Sequence, residues 1–153
     1  MQQIFISSVQ KELAEERRAL RDFVHGDPLL RRFFDVFLFE DIPATDRRAD
    51  EVYLQQVDRC GIYIGLCGLE YGAEDGYGLS PTEREFDRAS AASKVRLIFV
   101  KGADDKGRHP RMLALIRKAG NQPLDGAAWS ALSESQPPGA RTPSNPGPAN
   151  FSQ

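Results

Sequence analysis

Two short runs constrain this chain more than anything else in it: Ile4-Phe5-Ile6 near the start and Leu97-Ile98-Phe99-Val100 further on. Neither alternates apolar with polar residues, as a strand with one wet face does. Unbroken apolar runs of this length fit strands covered on both faces in a parallel sheet. Two more runs share the character, so strands are predicted at Gln3–Ser7, Asp35–Phe39, Gly61–Cys67 and Val95–Val100. Parallel neighbours need long crossovers, and helical patterns fill the gaps. Val9, Leu13, Leu20, Phe23 and Val24 form a stripe that predicts a helix over Val9–Val24, with Glu12, Glu15, Glu16, Arg18 and Arg21 outward. Further helices are predicted at Asp50–Arg59, Pro81–Ser93 and Pro110–Ala119. Strand and helix alternate, which gives an α/β chain: a three-layer, flavodoxin-like parallel sheet with flanking helices.

Charge and composition remove several function classes. Twenty Lys+Arg stand against 22 Asp+Glu, a net charge of −2, so no basic field invites nucleic acid or an anionic membrane. The longest apolar stretch, Gly61 to Leu69, is far short of the roughly 20 residues of a membrane span. No signal-peptide pattern opens the chain. Cys60 and Cys67 cannot build a disulfide scaffold and lack the spacing of a zinc site, so no metal is expected and the location reads as cytoplasmic. Past Gly120 the pattern changes, with five prolines between Pro137 and Pro148. The expectation is a folded unit over residues 1–120 and a Pro/Ser/Gly-rich tail over 121–153, disordered from about Ser133 because it has little to bury.

Ligands of parallel sheets bind beyond the carboxyl ends of the strands. That rule directs attention to Ser7-Ser8, to Glu40–Thr45, to Gly68–Ser80 and to the loop Lys101–His109. Ser80-Pro81-Thr82-Glu83 reads as a capping box, with Ser80 at the N-cap, Pro81 at the first helical position and Glu83 returning a bond to the Ser80 amide. Glu85 has no such structural duty. Its place beside Phe86 and one turn before Ala89 puts it either at a solvated rim or in a functional cleft. Ser7 with Gln10 fits a second capping box, whose free amides could also hold an anion. Tyr71 and Tyr77, in a glycine-rich loop, could stack on a planar ring or cover apolar surface. Arg17-Arg18, Arg31-Arg32 and Arg47-Arg48 read as solvated helix faces, with Arg47 and Arg48 the doublet nearest a ligand's phosphates. A Walker loop, a GxGxxG fingerprint, a nucleophile elbow and HExxH are all missing from the sequence.

Ile4-Phe5-Ile6-Ser7-Ser8-Val9-Gln10-Lys11-Glu12-Leu13 with Glu15-Glu16-Arg17 resembles the opening of the bacterial "domain of unknown function 4062" family. Phe39-Glu40, Tyr53-Leu54 before Val57 and Cys60, Gly65 through Tyr71-Gly72, and Ser80-Pro81-Thr82-Glu83-Arg84-Glu85-Phe86 before Ala89 follow in the family's order, over about residues 3–118. The resemblance implies a fold like that of TIR domains and nucleoside deoxyribosyltransferases, used as the N-terminal module of larger signalling proteins. It implies that Glu85, four residues before the small Ala89, holds the place of the essential glutamate of NAD-cleaving TIR domains. The family normally continues past Ala119 with another strand and helix, where this chain turns Pro-rich and reads as truncated.

The leading expectation is therefore a TIR-like signalling module with a nucleotide-sized cleft that cleaves the N-glycosidic bond of an NAD-type nucleotide. Glu85 is its catalytic residue, Ser7, Ser8, Glu40, Tyr71 and Ser80 its ligand-binding residues, and Ser80 with Glu83 its structural cap. It needs no cofactor, with NAD entering as substrate. Such cleavage passes through an oxocarbenium-like state that a carboxylate stabilises or traps. Nicotinamide leaves without a proton, so a missing general acid favours NAD over deoxynucleosides. The rival is a non-catalytic module that self-associates or holds a protein partner. Deoxyribosyl transfer is a third reading.

Overall fold

A computed structural model describes residues 1–38, 40 and 49–121. The elements run β1 (Gln2–Ser7), α1 (Ala14–Gly26), α2 (Leu30–Phe33), β2 (Phe34–Phe37), α3 (Ala49–Arg59), β3 (Ile62–Cys67), α4 (Pro81–Ala91), β4 (Val95–Val100) and α5 (Pro110–Asn121). Among the described residues the strands form one parallel sheet in the order β2-β1-β3-β4. That is the flavodoxin-like order, with its switch point between β1 and β3, where connections leave to opposite sides. The α/β parallel-sheet expectation holds.

Alternation along β1 distributes its side chains between two cores. Phe5 packs with Tyr63 and Cys67 of β3, Val57 of α3, Phe86 and Ala89 of α4, and Met112 and Leu115 of α5. Ile4 and Ile6 point the other way, to Val24 of α1, Val36, Leu38 and Ile64. Three helices thus lie on one face and α1 with α2 on the other. Burying a side chain the size of Phe86 stabilises the fold by about 1.5–3 kcal/mol, so the Phe5–Tyr63–Phe86 contacts are a main tie between sheet and α4. Ala89, fully buried, lets α4 come close to the strands. Ser7 shares the parity of Phe5 and so faces α4. This parity positions the site.

Several expectations are corrected. The helix over Val9–Val24 begins at Ala14, after a turn over residues 10–13, and its N-cap is Leu13 with no side-chain cap bond. The Ser7–Gln10 capping box does not form, because Gln10 donates to the Tyr53 hydroxyl (2.7 Å) and Ser7 to Glu85. Phe23, placed on the buried stripe, is 63% exposed. The short α2 was not predicted; Asp27 starts it by accepting from the amides of Leu29 and Leu30 at 2.8 and 2.9 Å. Strand β4, read as covered on both faces, is an edge among the described residues, with Val95, Phe99 and Val100 all exposed. Phe39, Arg47, Arg48 and the tail from Ser133 lie outside the described residues.

Candidate active site

At the carboxyl end of β1 the chain collects polar groups that it shields from water. Ser7 is paired in register with Gly65 of β3. A Cβ on Gly65 would stand 2.8 Å from Ile98 and 3.3 Å from the Tyr63 ring; glycine there leaves room for that ring. The Tyr63 hydroxyl hydrogen-bonds Ser7, and the Ser7 hydroxyl donates to the Glu85 carboxylate. Ser7 and Glu85 are 1% and 5% exposed. Burial first, and then the Glu85 charge, hold the Tyr63 phenol well above its ordinary pKa. Tyr63 therefore stays protonated, and its hydroxyl joins Ser7 and Glu85 in one buried polar cluster. Tyr53 flanks the same charge; burial, opposed by the Gln10 bond and helped by Glu85, raises its pKa too.

Beside this chain lies a buried arginine. Arg17 grips Glu40 bidentately, Nε to Oε1 at 2.8 Å and Nη2 to Oε2 at 2.9 Å. Its Nη1 donates to the Ile6 carbonyl (3.0 Å) and the Ser8 hydroxyl (3.2 Å). A guanidinium 2% exposed is costly to bury unless every donor is used, and this one is shared among a carboxylate, a carbonyl and a hydroxyl. Burial is the largest single influence and would raise the Glu40 pKa, but the Arg17 bond, a backbone bond and the charges of Arg17 and Arg21 together hold Glu40 below the usual range. Four of the expected site residues, Ser7, Ser8, Glu40 and Glu85, thus meet around the end of β1.

The other two do not join them. Tyr71 is 1% exposed; its hydroxyl donates to Glu83 and accepts from the Ser80 amide at 3.2 Å, while its ring stacks on His109 and lies under Arg111. Ser80 accepts from the Glu83 amide at 3.2 Å as the N-cap of α4. Glu83 does not return a bond to the Ser80 amide, because Tyr71 occupies that amide. Its carboxylate instead takes Tyr71 and Lys118 (3.0 Å). The cleft of Ser7, Ser8 and Tyr71 is corrected accordingly: Tyr71 is bound into the fold with no face left for a ligand. Tyr77, the other candidate for stacking, is 92% exposed.

Between Tyr53, Leu54, Pro81, Arg84 and Glu85 is a cavity of about 10 Å³, room for about one water. A cavity of this size does not hold a nucleotide as it stands. A hollow of about 490 Å³ lies against Met1, Gln2, Arg32, Phe33 and Phe34, at the amino end of β1 and β2; parallel sheets place their ligands at the other end. Cys67 is buried, which pushes its thiol up to about 11. Among the described residues no group of three or more His, Cys, Asp or Glu side chains could hold a metal ion, and no helix is long and apolar enough to cross a membrane.

The sequence pattern of one known family matches residues 3–126, most of the chain. The protein belongs to the family described as Domain of unknown function (DUF4062). Among solved structures it is similar to the Clostridium botulinum CMP N-glycosidase BcmB, at 13% identity and a TM-score of 0.42, over 65% of this chain and 71% of that one. No curated protein matches it in sequence. In this DUF4062 chain the sequence reading missed Arg17, Gln10, Tyr53 and Tyr63. Arg17 carried a signal: it falls between Leu13, Leu20 and Val24 at helical spacing, on the buried stripe. A cation on an apolar stripe calls for a buried partner.

Proposed function

We propose that this DUF4062 domain cleaves the N-glycosidic bond of an NAD-type nucleotide, with Glu85 as the catalytic carboxylate. The observation that carries the reading is the buried Glu85 carboxylate, fixed by the Ser7 hydroxyl at the carboxyl end of the central strand β1. A carboxylate held there by the Ser7 hydroxyl can stabilise positive charge developing on a sugar carbon, or trap it. The bond that breaks joins the ribose anomeric carbon to the nicotinamide nitrogen. Its electron pair leaves with the ring, which becomes neutral, so no group need supply a proton. Water then adds to the sugar carbon and gives its proton to the Glu85 carboxylate, which passes it on to solvent. Glu40, set by Arg17, offers acceptors to sugar hydroxyls at the same rim. The substrate enters by displacing the side chains over the small cavity, chiefly Tyr53 and Arg84. The cytoplasmic signalling role expected from the family resemblance is part of this proposal.

The deciding experiment is release of nicotinamide from NAD and NADP by concentrated protein, with a nucleoside panel beside them. Activity on NAD that disappears in Glu85→Gln supports the reading. A folded, self-associated protein that releases no base from any of them sinks it. A second reading, a non-catalytic module that pairs with itself or with a protein partner, is favoured by β4, an edge among the described residues, where Val95, Phe99 and Val100 are exposed. Unpaired strand edges are templates for pairing with another chain. Sedimentation across a concentration series, with Phe99→Lys as control, separates the two.

A further inference from the structure

The crevice between β1 and β3 is spanned by a side chain that the catalytic proposal does not use. Glu12, in the turn before α1, reaches across to the loop after β3. There its Oε1 accepts from the Leu69 amide and its Oε2 from the Glu70 amide at 3.0 Å. Two successive amides aimed at one carboxylate make an anion-binding nest. A Cβ on Gly68 would stand 2.5 Å from the Glu12 Cδ and 2.6 Å from its Oε2, so any other residue there would close the nest. The amides are also held in place from behind. Arg108, 6% exposed, donates through Nη1 to the Gly68 carbonyl and through Nη2 to the carbonyls of Lys101 (3.2 Å) and Asp104 (3.1 Å). One peptide group, Gly68–Leu69, is thus fixed at its oxygen by a buried cation and at its nitrogen by an anion.

The position matters as much as the chemistry. In a sheet of order 2-1-3-4 the ligand crevice opens at the carboxyl ends of β1 and β3, and the nest lies on its β3 wall. Gly68 lies three residues past Gly65, the register partner of Ser7, or roughly 10 Å along the strand direction. That is within reach of one sugar-phosphate-phosphate unit whose sugar lies at Glu85.

We propose that the amides of Leu69 and Glu70 form the phosphate subsite of this crevice, and that Glu12 occupies it in the ligand-free chain as a built-in competitor. A phosphoryl group of the substrate displaces the Glu12 carboxylate, which swings out on its own turn. The subsite rests on the N-glycosidase reading only for the identity of its ligand. Its binding can be measured without turnover.

The test uses inorganic pyrophosphate as the probe, in calorimetry and in amide NMR, on the full chain and on Glu12→Ala. Removal of the competitor should tighten pyrophosphate binding at least tenfold, with the Leu69 and Glu70 amide resonances moving most. Gly68→Ala in the Glu12→Ala background should abolish that gain. If Glu12→Ala does not fold, the isosteric Glu12→Gln, which weakens the competitor's charge, should show a smaller gain at the same two amides. Unchanged affinity in a folded variant, or shifts confined to other residues, would make Glu12 a structural staple and overturn the proposal. Tighter pyrophosphate binding without any release of nicotinamide would retain the subsite and reject the catalytic reading. Turnover of NAD with no change in pyrophosphate affinity would do the reverse.

Discussion

Glu83 and Glu85 are two residues apart on the same helix, and the fold treats them differently. Glu83 is held by a cation, Lys118, and by the Tyr71 phenol, in a knot that joins α4 to α5 and to the loop after β3. Glu85 points to the sheet and takes the hydroxyl of Ser7. A carboxylate clasped by a lysine stabilises structure and has little left to offer a substrate. One fixed by the hydroxyl of a central strand keeps its charge aimed at the place where parallel sheets bind ligands. Helical spacing explains the contrast: two residues turn a helix by about 200°, so neighbours in sequence serve opposite sides.

That comparison can be broken or sharpened by substitution. The largest effect is expected at Glu85. Glu85→Gln should lower single-turnover release of nicotinamide at least a hundredfold, roughly 2.7 kcal/mol of barrier, while the melting curve keeps its shape. Equal activity in the variant would end the distinction between the two glutamates. Next comes Arg17→Ala, which leaves the Ser8 and Ile6 oxygens without their donor. A loss of about 2–3 kcal/mol in urea unfolding is expected, in the range for hydrogen bonds to a charged group; Glu40→Gln should cost less, since Glu40 keeps water on one side. Glu83→Ala should cost about 1–2 kcal/mol of stability, the scale of losing the Tyr71 and Lys118 bonds to its carboxylate, and leave turnover intact. Loss of turnover in a folded Glu83→Ala would reverse the assignments.

The smallest effect is one of pH. Burial, the largest single influence, would raise the Glu83 pKa, but the Tyr71 and Lys118 bonds and the charges of Lys118 and Arg111 together outweigh it, so the folded value lies below the ordinary 4.5. A group depressed in the folded state contributes stability above its unfolded pKa and loses it as pH falls through the folded one. Thermal melts from pH 6 downward should therefore drop more steeply below about 4.5 in the parent than in Glu83→Gln. Parallel curves would show that Glu83 contributes nothing through its charge.

Most of the fold could be read from the residues, because unbroken apolar runs and stripes report strands and helices directly. Val95–Val100 matched its predicted bounds, and α4 began at Pro81 as its punctuation implied. What those runs do not report is the neighbour on each side, so β4 read as central when, among the described residues, it is an edge. The start of α1 was misread for a related reason. Val9 and Leu13 continue the helical spacing, yet Gln10 and Glu12 are committed to partners far away in sequence, Tyr53 and the Leu69–Glu70 amides. Long-range bonds of this kind leave no trace in local spacing. The meeting of Ser7 with Glu85 was half legible: strand-end and helix-start rules brought both to one rim, but only the register of Ser7 against Gly65 turns its hydroxyl toward α4. Tyr71 was misplaced because loop tyrosines look alike until their hydroxyls find partners.

The two cysteines turn the fold into its own clock. Cys60 follows the last residue of α3 and Cys67 ends β3; both are buried, and burial raises both thiols above their ordinary pKa. A neutral, covered thiol reacts with an alkylating reagent only while its surroundings are open. The rate of labelling at each position therefore counts local opening events, one at the seam between α3 and the sheet and the other just below the crevice loop. A molecule that settled on that loop would slow the second clock and leave the first running.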